Sequence, residues 1–144
     1  MLRETDIILA ALAVSKGAVH SPVQIQKLIF LLDRKLANEL SGPHFNFIAH
    51  HYGPFDRRIY DLLEELAKQG MVEILRNPAL RWRNYRSTPE GQEAGGRILN
   101  QLDPHVRGYI MELSSFVRKL SFAELVSSIY AAYPDMKVNS VFQG

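Results

Sequence analysis

Apolar residues recur at helical spacing along most of the chain, starting at its N-terminal end. Residues 4–16 are mainly apolar and are followed by Gly17, which is typical of the end of a helix. A Ser-Pro pair at 21–22, with Gln24 three residues after the serine, has the pattern of a capping box. The segment behind it is apolar on nearly every helical face. We therefore predict a helix over residues 22–40 that lies in the centre of a helical bundle.

The middle of the chain combines short extended patterns with one amphipathic helix. Residues 45–48 alternate and predict a short strand, and residues 52–55 (YGPF) predict a turn. Asp56 is a plausible N-cap for a helix over residues 57–69, which Gly70 ends. The apolar stripe of this helix has the expected spacing: Ile59, Leu62, Leu63 and Leu66.

Two extended runs follow, at residues 71–75 and 81–87, with an Asn-Pro pair between them that suits the tip of a hairpin. Three further helices are predicted behind the hairpin. They start at residues 88–91 (TPEG), at the Asp-Pro pair 103–104 and at the capping box 121–124.

This order of elements predicts a mainly α protein with a small β-hairpin. It is the order of a winged helix-turn-helix core with additional C-terminal helices. A chain of 144 residues with 47% hydrophobic residues has the size of one globular domain. We therefore expect a single domain over residues 1–144, with the winged-helix core at about 4–87 and a helical extension at about 88–144.

Several motifs of the chain resemble known families. Residues 62–91 resemble the recognition helix and wing of MarR-type regulators. More narrowly, the chain resembles the Panacea domain, also called the SocA-like antitoxin family, and its YwgA-like relatives. The motifs that carry this resemblance are residues 26–32 (QKLIFLL), 52–55 (YGPF), 70–72 (GMV), 88–91 (TPEG) and 129–134 (IYAAYP).

The resemblance implies a bacterial or phage protein with a helical, wing-bearing fold. Members of the family act as antitoxins that hold a partner toxin, and one kind delivers a toxin to a protease. No catalytic residues come with the family. Its motifs mark residues that we expect to have structural roles: Tyr52, Gly53, Pro54, Phe55, Gly70, Thr88 and Gly91.

Charge adds a second interpretation. The chain has 17 Lys and Arg against 15 Asp and Glu, a mildly basic balance that permits contact with nucleic acid without requiring it. The predicted hairpin carries arginines that suit phosphate or partner contacts, and two more stand at the start of the helix over 57–69. These candidate contact residues are Arg57, Arg58, Arg76, Arg81, Arg83 and Arg86.

The same helix also carries acidic residues. From Asp56 to Lys68 it has three positive and four negative side chains. Acidic side chains would repel a phosphate backbone, so this mixed face suits a protein partner better than DNA.

Other chemistry is not indicated. The absence of cysteine excludes disulfides and thiolate chemistry, and no phosphate loop, nucleophile elbow or zinc-protease motif is present. His44, His50 and His51 lie close together in sequence. Adjacent histidines on a strand would point to opposite faces, however, so we expect no metal site. We expect no enzyme, no catalytic residue and no cofactor.

The chain has no apolar run of membrane-spanning length and no recognisable signal peptide, so we expect a cytoplasmic protein without membrane contact. The aperiodic tail, residues 135–144, keeps a few apolar side chains. It either folds back on the body, the interpretation we favour, or inserts into a partner or a second copy in a homodimer.

The expected function is a protein-interaction module, antitoxin-like or an adaptor, that binds a partner protein such as a toxin. The alternative is a DNA-binding winged-helix transcriptional regulator that uses the arginine hairpin.

Overall fold

The computed structural model describes residues 1–76, 78–79 and 83–143. The described residues form six α-helices and two antiparallel β-hairpins, which confirms the mainly helical fold class. The helices are α1 (Glu4–Ala13), α2 (Pro22–Lys35), α3 (Arg57–Lys68), α4 (Pro89–Gln101), α5 (Pro104–Lys119) and α6 (Phe122–Ala132). The strands are β1 (Ile48–His50), β2 (Gly53–Phe55), β3 (Val72–Arg76) and β4 (Arg83–Ser87), and a short 3-10 helix (Pro134–Lys137) follows α6. No helix in the described part of the chain is long and apolar enough to cross a membrane.

Helix α2 is the central element, as its all-round apolar pattern predicts. Ile25, Leu28, Ile29 and Phe30 are fully buried, so successive faces of this helix contact protein on all sides. Its N-terminus has the predicted capping box. The backbone N–H of Gln24 donates to the Ser21 hydroxyl at 3.2 Å, and the Gln24 side chain accepts from the Ser21 N–H at 2.9 Å.

The predicted end of this helix is wrong by about one turn. Helix α2 ends at Lys35 rather than near residue 40, and Leu36 has already left helical geometry. The prediction followed buried apolar residues, and both Leu36 and Leu40 are buried. They reach the core from turns instead of from a helix.

The prediction for residues 45–55 is also wrong, except that Tyr52 lies in a turn. Only Ile48 of the predicted strand 45–48 belongs to β1, and residues 53–55 of the predicted turn form β2, so the chain has a second hairpin. A buried side chain explains why residues 44 and 45 do not belong to a strand. Buried Asp33 accepts the backbone N–H groups of His44 at 2.7 Å and Phe45 at 3.0 Å, which holds this segment on α2 instead of in a sheet.

A buried glutamine ties the new hairpin to the central helix. The Gln26 side-chain amide donates to the backbone carbonyl of Asp56 at 2.9 Å and accepts from the backbone N–H of Asp56 at 3.0 Å. Asp56 in turn caps α3 by accepting the Arg58 N–H, as predicted. Helix α2 therefore fixes both the end of β2 and the start of α3.

The second hairpin, β3–β4, forms where the sequence predicts it. Gly70 has a left-handed backbone (φ 78°) and turns the chain out of α3. The Thr88 hydroxyl accepts from the N–H of Gly91 at 3.1 Å and donates to the Gly70 carbonyl at 2.6 Å. A side chain at Gly91 would overlap the carbonyl of Met71. Thr88 and Gly91 thus join the start of α4 to the start of the hairpin.

The C-terminal tail folds back on the body. The backbone N–H of Val141 donates to the His51 carbonyl at 3.0 Å, and the Tyr130 hydroxyl donates to Ser140 at 2.7 Å. Met136 is buried. The tail therefore lies against the β1–β2 hairpin and α6, which confirms the favoured interpretation of the sequence.

Candidate functional site

The arginines of the β3–β4 hairpin divide between its two faces. In the observed register Arg76 is opposite Arg83, and Arg86 is opposite Glu73. Because side chains alternate along a strand, Arg76 and Arg83 share the face of Tyr85, while Arg86 lies on the other face. Tyr85 is buried. One face of the hairpin thus contacts the body, and the arginines do not form a single exposed row.

The described hairpin arginines are paired with carboxylates. Arg83 donates to Glu64 of α3 at 2.5 Å, and the Arg76 guanidinium lies 3.7 Å from the same Glu64 carboxylate. Arg86 contacts Glu73 across the strands at 2.6 Å. These ion pairs are half-exposed, so they add little stability, but they lower the net charge offered to a phosphate. Arg81 and Trp82 lie outside the described residues.

The two arginines at the start of α3 have different environments. Arg58 donates two hydrogen bonds to Glu4, at 2.6 and 2.8 Å, and this contact lowers the pKa of the Glu4 carboxyl. Arg57 is exposed and makes no ion pair within the described part of the chain. The five candidate arginines that the structure describes therefore do not form one free cationic surface.

A different surface joins the YGPF motif to α2 and α6. Tyr52 and Phe122 are both exposed and stack edge to face, with ring centroids 5.2 Å apart. They border a cavity of about 490 Å³, which we call the aromatic groove. Its described lining residues are Ser21, Pro22, Val23, Tyr52 and Phe122.

The aromatic groove continues into a second cavity of about 260 Å³, which we call the lysine pocket. The two cavities share Pro22, Val23 and Tyr52. The further side chains of the lysine pocket include Lys27, His50, His51, Phe55 and Tyr60. The N-terminal turns of α2 and the β1–β2 hairpin therefore form the walls of one continuous surface.

Lys27 is the unusual member of this surface. Its side chain is only 3% exposed, and burial lowers the pKa of its ammonium group to about 8. Within residues 1–76, 78–79 and 83–143, no carboxylate or hydrogen-bond acceptor contacts the ammonium. Buried lysines are normally paired. This one lines a cavity without a partner.

Gly53 explains part of the YGPF motif. Its φ of 105° lies in the left-handed region, where glycine is favoured. A Cβ at this position would lie 3.5 Å from both Cε and Nζ of Lys27 and 3.4 Å from the Tyr130 ring. The glycine therefore turns the hairpin tightly beside the lysine.

The other members of the motif have packing roles. Pro54 is buried opposite Ala49 in the hairpin. The Phe55 ring lies 4.8 Å from the His50 ring and 5.8 Å from the Tyr60 ring. Burial raises the pKa of the Tyr60 hydroxyl to about 12.

The histidine prediction is wrong in its geometry. His50 and His51 stack face to face with ring centroids 4.3 Å apart, instead of pointing to opposite sides. Strand β1 ends at His50, so strand alternation does not extend to His51. Among the described residues, no group of three or more potential ligands is placed to hold a metal ion.

The sequence does not indicate that Lys27, Val23 and Phe122 belong to one surface. The available signal was a lysine at position 27 in a helix that is apolar on nearly every face. The contribution of Phe122 had no local signal, because it depends on how α6 packs beside the β1–β2 hairpin.

Comparisons with known proteins add no further assignment. No family model matches the chain, and no curated protein shows significant similarity to it.

Proposed function

We propose that this chain is a non-enzymatic protein-interaction module that binds a partner protein through the aromatic groove. The observation that carries the proposal is the pair Tyr52 and Phe122, 43% and 46% exposed, on a continuous apolar surface. Exposed aromatic side chains beside a cavity are typical anchors of protein–protein interfaces.

The β1–β2 hairpin, which forms part of this surface, is held in place by contacts with the rest of the protein. Gln26 fixes the end of the β1–β2 hairpin to α2, and the C-terminal tail donates hydrogen bonds to backbone carbonyls of the same hairpin. A rigid groove loses little conformational entropy on binding. This favours recognition of a partner segment by a largely preformed site.

The resemblance to the Panacea domain supports a narrower form of the proposal. The partner would then be a toxin, held directly or delivered to a protease, and the chain would act as an antitoxin or adaptor. In this form the YGPF motif both shapes the groove and supplies Tyr52 as one of its anchors.

The alternative is a DNA-binding regulator with a winged helix-turn-helix core. The presence of the β3–β4 hairpin directly after α3 favours it. The ion pairs of Arg76 and Arg83 with Glu64, and of Arg86 with Glu73, weigh against it, because phosphate would have to displace these carboxylates.

Affinity capture with matched variants tests the proposal. The bait is the full chain, with Y52S/F122S as the groove variant and M111S as the control. Met111 on α5 is as exposed as the groove aromatics but lines neither cavity. We expect a partner from the native lysate to be retained by wild type and M111S, and to be lost from the groove variant at unchanged thermal stability.

Binding of random duplex DNA at two salt concentrations tests the alternative. Contact with about four phosphates would weaken binding roughly a hundredfold for a fourfold rise in salt. A steep salt response that R83Q/R86Q removes, together with a captured partner that the groove variant still binds, would overturn the proposal in favour of DNA binding.

A further inference from the structure

The lysine pocket, which shares lining residues with the aromatic groove, contains a buried cation, and this cation restricts which partner segment can bind there. Lys27 on α2 is buried, lines the lysine pocket and has no partner for its ammonium in the described part of the chain. An isolated charge in such a place is costly unless a ligand supplies the opposite charge.

The surroundings of Lys27 are neutral or basic. Among the described residues that line the lysine pocket and the aromatic groove, none is acidic. A Cβ at Gly53 would lie 3.5 Å from the Lys27 Nζ and 3.4 Å from the Tyr130 ring, so the hairpin backbone and this ring lie beside the lysine. The chain itself therefore offers no carboxylate for the ammonium, and charge complementarity favours an anionic occupant.

The lining favours a peptide over a nucleic acid. Recognition of a phosphate backbone uses several arginines and lysines along an open surface. Here a single lysine lines the pocket together with Val23, Phe55 and aromatic rings. One carboxylate next to apolar side chains fits this arrangement.

The length of the surface favours a chain segment over a small acid. The lysine pocket and the aromatic groove share Val23 and Tyr52, and together they offer two adjacent sites for side chains. We propose that the occupant is a segment of the partner protein that places an Asp or Glu carboxylate on Lys27 and a neighbouring apolar side chain against Tyr52 and Phe122. This inference rests on the proposed function and adds the chemistry of the bound segment.

Selection of peptides from a random library tests the inference on the full chain. The selected peptides are expected to carry an acidic residue close to an aromatic or aliphatic one. Binding constants are then measured for wild type, K27M and the control K35M. Lys35 is an exposed lysine at the end of the same helix. We expect K27M to bind at least tenfold more weakly and K35M to bind within a factor of two of wild type.

A double-mutant cycle isolates the contact itself. Replacing the peptide carboxylate by its amide is expected to weaken binding to wild type at least tenfold and to leave binding to K27M unchanged. Equal losses on both proteins would overturn the contact with Lys27. Thermal unfolding of K27M confirms that the variant is folded.

The remaining outcomes separate this inference from the proposed function. Selected peptides without acidic residues that F122S no longer binds would overturn the role of Lys27 and leave the groove in place. Peptides that F122S binds like wild type, or no selected peptide at all, would overturn both. If 3-phenylpropionate binds as tightly as the peptides, the occupant is a small acid. If the chain has a dimeric mass in solution that F122S abolishes, the occupant is a second copy of the chain. Either result would overturn the inference.

Discussion

At the scale of single residues, Lys27 lowers the stability of the folded chain and also lies on the proposed binding surface. Its pKa of about 8 in the folded chain, against 10.5 for a free lysine, means that burial disfavours the charged form. At pH 7 the group is charged in both states, so the folded state carries the cost of keeping the charge buried. Residues that reduce stability in this way are typical of functional sites.

We therefore expect K27M to be more stable than wild type at pH 7, by on the order of 2 kcal/mol. In the wild type this cost disappears as pH rises from about 8 to 10.5, where first the folded and then the unfolded lysine becomes neutral. Urea unfolding at pH 7 and pH 10, with K35M as the control, measures both effects. A K27M variant that is less stable than wild type at pH 7 would show that the lysine has a favourable partner.

His20 gives a second residue-scale prediction. It is completely buried, its Nδ1 lies 3.1 Å from the Ala18 carbonyl, and its Nε2 has no partner in the described part of the chain. Burial lowers its pKa to about 4, so the folded state holds the neutral ring. The unfolded histidine takes up a proton near pH 6.5, which makes folding less favourable as pH falls from 6.5 towards 4.

We expect wild type to lose on the order of 2 kcal/mol of stability between pH 7 and pH 4.5 from this residue. An H20Q variant should not show this loss of stability at low pH. An H105Q variant, which is changed at an exposed position on α5, should still show it. Chemical unfolding at several pH values measures the difference. If the free energy of unfolding depends on pH in the same way for wild type and H20Q, His20 is not the cause of the loss of stability.

At the scale of elements, α1 and α4 pack closely because one glycine lets them approach. A Cβ at Gly95 would overlap the side chain of Ala13 and the carbonyl of Leu9, both on α1, whereas Gly96 has open space around it. The two neighbouring glycines on α4 therefore have opposite roles. One sets a helix–helix contact, and the other only weakens helix propensity.

We expect G95A to destabilise the fold by about 1–3 kcal/mol, because the helices must move apart. The matched variant G96A should be neutral or stabilising by up to about 1 kcal/mol. Thermal unfolding of the two variants decides between the roles. Equal stabilities would show that the contact between α1 and α4 adapts without cost.

How far the sequence predicts these elements depends on how local their causes are. The starts of α2, α4, α5 and α6 follow from capping residues and first-turn prolines, which act within three residues. The β1–β2 hairpin was missed because its cause is distant in sequence. Buried Asp33 holds the backbone of residues 44 and 45 outside the sheet, and buried Gln26 holds Asp56 at the end of β2, over separations of 11 to 30 residues.

The candidate site shows the same limit. The sequence indicated arginines of the hairpin, but not that Glu64 and Glu73 would pair with them. It also marked the YGPF motif without placing it beside Lys27 and Phe122. Each missing fact concerns which side chains meet after α2, the β1–β2 hairpin and α6 have packed together.

At the scale of the whole molecule, the C-terminal tail packs against the β1–β2 hairpin and α6. Asn139 donates to the Ala49 carbonyl at 3.1 Å, Val141 donates to the His51 carbonyl, and Phe142 lies 5.9 Å from the Phe122 ring. The tail thus supports the hairpin that forms a wall of the lysine pocket.

We expect removal of residues 138–144 to lower the melting temperature by several degrees and to leave the mass in solution unchanged, because the tail packs on its own body. Light scattering and thermal unfolding of the shortened chain measure both. Loss of a dimer at unchanged stability would instead indicate that the tail exchanges between two copies.

The most direct test of the account is the location of the surface that a partner covers. Amide and methyl chemical shifts of the labelled chain, recorded with and without the captured partner or a selected peptide, map that surface. We expect the chemical-shift changes to be concentrated at Val23, Lys27, Tyr52 and Phe122, and the signals of Arg57, Arg83 and Arg86 to be unaffected. Changes confined to α3 and the β3–β4 hairpin, with the aromatic groove unperturbed, would contradict it.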